Sequence, residues 1–104
     1  MSWSNIAAMD AARDCYHAMR ELVLRHPGGH SSESSLATLR KLRHIAERAA
    51  ADADCSARLA TIDEHAALLF SGCGSGNWVR RRILVELEEF RTRLYVLEVR
   101  KQAA

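Results

Sequence analysis

The 104-residue sequence predicts an all-α, up-and-down bundle of three or four helices with a long C-terminal helix. Three observations lead there. The single proline and all five glycines fall in two short stretches, "HPGGHSSESS" at 26–35 and "GCGSG" at 72–76. Elsewhere apolar residues recur at steps of three and four, the spacing of one helix face. The hydrophobic content is 48% with only 6% aromatics, and much of it is alanine and leucine, which suits closely packed helices. At 27% charged residues the chain is globular rather than disordered in composition. Its length fits one domain, 1–104.

The first helix is expected at about 5–25, with Met9, Ala12, Tyr16, Met19 and Val23 on one face. Ala8, Cys15 and Leu22 widen that stripe. Ser4 is a candidate N-cap, and Pro27 with Gly28 forbids continuation. A second segment, about 35–52, carries Leu39, Leu42, Ala46, Ala49 and Ala53. A third, about 55–71, carries Leu59, Ile62, Ala66 and Leu69. The two stripes are out of phase by about one residue, and Asp52 and Asp54 lie at the join. Aspartate is poor inside a helix and good at its start. Either a break falls there or one long helix shifts its face; a break is the expectation.

The last helix is expected at 77–101, roughly 37 Å long. Ile83, Leu87, Phe90, Leu94 and Leu97 step by four and three, a heptad seam. Tyr95, Val96 and Val99 add apolar surface on other faces. Such a helix must bury more than one side. One small bundle covers one side; a second copy or another protein would cover the rest.

"FSGCGSGNWVRRR", 70–82, resembles a phosphate-binding loop in its glycines, yet "TIDEHAALLF" before it is helical in period rather than a strand. No Lys–Ser/Thr follows Gly76. The stretch reads as a helix junction: Gly72 ends one helix, Ser75 or Asn77 caps the next, and Gly74 and Gly76 free the turn. The arginine triplet is less easily absorbed. Arg82 has Glu86 four residues on, and Glu89 has Arg93, so those pairs satisfy themselves. Arg80 and Arg81 have no such acid and need partners from elsewhere, either on an acidic patch of the same bundle or in another molecule. Residues 35–50 hold four cations against one anion, and 51–66 hold four anions against one cation, so basic and acidic blocks exist to meet each other.

The sequence gives little support to chemistry. His26 and His30 bracket "PGG", and Cys15 lies two residues before His17, but no paired metal-ligand spacing is present. No metal or cofactor is expected; the loop histidines are expected to be exposed and Cys15 buried. "DEH", 63–65, holds an acid and a base on different helix faces. Cys73, near arginines, is either a lowered-pKa thiol or an ordinary loop residue, and the second is the expectation. No enzyme activity and no small-molecule substrate are expected. Trp3 and Trp78, near helix starts, are expected to pack over bundle ends as staples; exposed, either would be a binding hot spot.

No apolar run approaches the roughly 20 residues that span a bilayer, and the N-terminus lacks a secretory-signal pattern. The three cysteines, unpaired in spacing, suit a reducing compartment, so a cytoplasmic location is expected. The function expected is interaction: a helical adaptor or regulatory protein that self-associates as a homodimer, or docks another protein, through its last helix. Leu87 and Leu94 would anchor the seam, Tyr95 and Val99 would form contact surface, and Arg80 and Arg81 would supply charge. The alternative is a nucleic-acid-binding regulator using Arg40, Lys41, Arg43, Arg48, Arg80 and Arg81, with His44 on the same basic face. A net charge of only +2 and the lack of helix-turn-helix spacing weigh against it.

Overall fold

The computed structural model describes residues 3–72 and 77–103. Four helices follow in order: α1 (Trp3–Arg25), α2 (Glu33–Ala50), α3 (Ala53–Phe70) and α4 (Asn77–Ala103). The helices form a closed ring in which α1 packs on α2, α2 on α3, α3 on α4 and α4 back on α1. Short connections make sequence neighbours antiparallel neighbours, as in an up-and-down bundle. The long axis measures 46 Å against 22 and 19 Å across.

The join between α2 and α3 is a break, and its chemistry is local. Ala51 takes a left-handed conformation at φ 48° and donates its N–H to the Glu47 carbonyl at 3.0 Å, closing α2. Asp52 then swings to extended backbone, and its carboxylate accepts the Cys55 N–H at 3.1 Å, opening α3. The phase shift between the stripes is the trace of this two-residue connection. α2 starts two residues before its expected position. Ser32, not a later serine, is the N-cap, its hydroxyl oxygen 3.3 Å from the Ser35 N–H it accepts.

Met9, Ala12, Tyr16, Met19 and Val23 are all buried, as are Leu59, Ile62, Ala66 and Leu69. Ile83, Leu87, Phe90 and Leu94 line the inner face of α4, with Leu97 partly buried against them. In α2 the stripe is shallower. Leu39 and Ala46 are buried and Leu42 and Ala49 half-buried, while Ala53 is exposed because it opens α3 instead of continuing α2.

The two glycine-bearing connections meet at one end of the bundle. Ser31 and Ser71 form an isolated antiparallel bridge, and the Ser32 N–H donates to the Phe70 carbonyl at 2.8 Å. Gly72 terminates α3 at φ 80°, as its place after the helix implied. A Cβ there would lie 3.1 Å from the Ser31 nitrogen, so the approach of the two loops needs glycine as much as the turn does. Gly74, Ser75 and Gly76 lie outside the described residues, as do Ser4's side chain and the Trp3 indole.

Candidate interaction surface

A helix 27 residues long, packed into a ring by two neighbours, keeps one face toward solvent. On α4 that face is unusually apolar. Tyr95 is 67% exposed, Trp78 61%, Val85 50% and Val99 43%. Seven residues is nearly two helical turns, so Trp78, Val85, Thr92 and Val99 form one line down the outside. Val96 lies beside this line, half-buried. Arg81, Arg82, Glu88 and Glu89 flank its first half, all exposed. The line was not evident from the inner heptad, because Thr92 interrupts it and charges flank it.

Trp78 departs from expectation. A staple over a bundle end is the expectation from sequence, but Trp78 is the second residue of α4 and faces outward. Its ring meets that of His65 in a T-shaped arrangement, 6.2 Å between centres. The His65 ring is itself anchored, with Nδ1–H donating to the Thr61 carbonyl at 2.9 Å. Leu68, one turn further along α3, is also exposed.

The expected interface residues separate into three groups. Leu87 and Leu94 lie inside the core, where they hold α4 in the bundle. Tyr95 and Val99 are on the outside. Arg80 and Arg81 part company. Arg80 turns inward and donates to the main-chain carbonyl of His26, so its partner lies in the same chain and is a carbonyl rather than an acid. Arg81 is exposed and makes no ion pair among the described residues.

The Arg80 contact belongs to a closed knot at the loop end. His26 is buried, against the expectation of an exposed loop histidine; its ring packs edge-on to Phe70 at 4.8 Å. Its Nε2–H donates to the His30 carbonyl at 2.7 Å, bending the "HPGGH" loop back on itself. His30 is exposed.

The basic residues of the nucleic-acid alternative are likewise divided. Asp63 of α3 accepts from Arg40 at 3.3 Å and Arg43 at 3.0 Å, so the basic block meets the acidic block inside the chain. Lys41, His44 and Arg48 stay exposed. Elsewhere Glu86 sits buried between Arg58 at 3.2 Å and Arg82 at 3.1 Å. The expected Glu89–Arg93 pair does not form. Arg93 instead makes a two-pronged contact with Asp52, both distances 3.0 Å. That guanidinium, together with the Cys55 N–H, holds the Asp52 carboxyl well below the usual carboxylate range against the opposing effect of burial. Glu89 is left exposed without an ion pair among the described residues.

A groove of about 310 Å³ lies beside the outer face, lined by Arg13, Arg91, Thr92, Leu94, Tyr95 and Glu98. Arg13 bridges to Glu98, the Tyr16 hydroxyl donates to Glu88 at 2.6 Å, and the Arg91 guanidinium stands 5.9 Å from the Tyr16 ring centre. Burial and the Glu88 hydrogen bond push the Tyr16 hydroxyl pKa up. Among the described residues these contacts show no acid–base pair aimed at a common point. Asp63 is occupied by arginines, Glu64 is exposed, and His65 is bonded to its own helix. Cys15 and Cys55 are buried free thiols, the second pushed up to about 12 by burial and the nearby Asp52. Cys73 lies outside the described residues. Among the described residues no cluster of three His, Cys, Asp or Glu could hold a metal, and no helix is long and apolar enough to cross a membrane. The chain matches no family model, no curated protein and no solved structure.

Proposed function

We propose that this chain is a helical interaction protein, an adaptor or regulator, that works by self-association through the outer face of α4. The supporting observation is the line Trp78, Val85, Thr92 and Val99, with Tyr95 beside it, standing in solvent on a helix whose opposite face already fills the core. An exposed tryptophan with aliphatic neighbours is the residue type that anchors protein contacts. The contact surface is therefore Trp78, Val85, Tyr95 and Val99, while Leu87 and Leu94 act only by keeping the helix straight in its bundle. A nucleic-acid role has less to stand on, because Arg40, Arg43 and Arg80 are engaged within the chain.

The test is substitution on the outer face, read by solution mass and by folding together. Val85→Glu, or Trp78→Glu, should remove association, and Tyr95→Glu with Val99→Glu should weaken it, while the helical circular-dichroism signal and the melting temperature stay within a few degrees of the parent. Collapse of folding would place these residues in the core and sink the reading. Association unchanged in every such variant would move the contact elsewhere.

A further inference from the structure

Charge on the outer face of α4 is arranged with a direction. Two arginines, Arg81 and Arg82, stand three to four residues before Val85, and two glutamates, Glu88 and Glu89, stand three to four residues after it. Arg82 already meets Glu86, and Glu88 meets Tyr16 and Arg91. Arg81 and Glu89 remain, opposite in sign, exposed, and the same distance from Val85. At 1.5 Å per residue each lies about 6 Å along the helix from that valine.

We infer that two copies of this chain pair their α4 helices antiparallel, about a two-fold axis that passes beside Val85. This rests on the self-association proposed above and adds its geometry. A two-fold contact uses the same patch on both copies, so residue 85+n of one helix stands level with 85−n of the other. Val85 then meets Val85, and Thr92 comes level with Trp78 of the second copy; the two helices overlap from 77 to 93, and Tyr95 and Val99 extend past the start of the second copy's α4. The Arg81–Arg82 pair of each helix comes level with the Glu88–Glu89 pair of the other, and this happens twice.

The alternatives are worse in charge. Parallel helices in register set arginines against arginines and glutamates against glutamates. An antiparallel pair centred midway between Glu88 and Glu89 would set Trp78 level with Val99, which is good apolar overlap. It also sets Glu88 against Glu89 at its centre, where like charges are most costly. Only the axis at Val85 combines an apolar centre with attraction on both flanks.

The experiment is a charge swap read by dissociation constant, in sedimentation equilibrium or concentration-dependent light scattering. Arg81→Glu and Glu89→Arg, made singly, each turn two attractions into two repulsions and should weaken the dimer by about tenfold. The double variant Arg81→Glu/Glu89→Arg restores opposite charges across the axis and should return to within about threefold of the parent. Raised salt should shrink all these differences. Val85→Glu serves as the control for the face itself. If Val85→Glu removes association but the single reversals leave it unchanged, the face is right and the antiparallel arrangement is overturned. If the double variant is no tighter than the singles, the pairing of Arg81 with the glutamates is overturned. A parent chain that is monomeric throughout overturns the arrangement and the self-association together.

Discussion

Ala51 stands between α2 and α3 with φ 48°, a conformation that costs an L-residue about 1–2 kcal/mol and glycine almost nothing. Glycine there would also loosen the unfolded chain, which offsets part of the gain. Ala51→Gly should therefore raise stability by about 0.5–1 kcal/mol, a rise of a few degrees in melting temperature, with no change in helix content. A fall in melting temperature would show that the left-handed alanine is not strained. Asp52, the next residue, does two jobs that substitution can separate. Asparagine caps a helix as well as aspartate, so Asp52→Asn keeps the Cys55 contact and removes only the charge facing Arg93. Asp52→Ala removes both and should cost about 1 kcal/mol more. The sign with pH is fixed by the lowered carboxyl. A group held below its unfolded value stabilises above that value, about pH 4, and loses the contribution as pH falls further. Denaturation followed from pH 7 to pH 2 should thus show a shallower acid loss in Asp52→Asn than in the parent. Equal slopes would mean that the Asp52–Arg93 contact carries no stability.

At the level of the helices, much could be read from the sequence because the punctuation is sparse. Two loop stretches hold every glycine and the proline, and the three-four spacing between them has no rival interpretation. The third connection was harder. It contains neither glycine nor proline, and a left-handed alanine leaves no mark in sequence; only the phase shift and the aspartates betray it. The start of α2 was displaced because serines at 31, 32, 34 and 35 are all competent caps, and the choice of Ser32 depends on the pairing of Ser31 with Ser71, 40 residues away. The same blindness to distance explains Arg93. Local spacing offers it Glu89, but Asp52 meets it with two hydrogen bonds and a fixed backbone. On α4 the inner heptad was legible in full. The sequence marks the outer line only at its end, in Tyr95, Val96 and Val99, while the nearness of Trp78 to a helix start suggests a staple. Being second in the helix, it points where the helix turns it, and that is away from the core.

Across the whole molecule, charge and apolar surface are distributed unequally. The contacts between α1 and α4, α2 and α3, and α3 and α4 each hold an ion pair or charge-assisted hydrogen bond joining the two helices. These contacts engage Arg13, Arg40, Arg43, Arg58 and Arg93 inside the chain. Among the described residues, Arg81 and Glu89 of α4 stand exposed without an ion pair, four residues to either side of Val85, and Arg100 is unpaired near the helix end. That distribution is what the proposed self-association rests on, and the arginines engaged inside the chain are what weigh against a polyanion. The measurement that tests this most directly is the solution mass of the unaltered chain by light scattering, taken over a hundredfold range of concentration. The mass should rise with concentration from that of one 11.6 kDa chain to twice that value and stop there, as a closed two-fold contact requires. A mass that stays at one chain throughout would contradict self-association through α4.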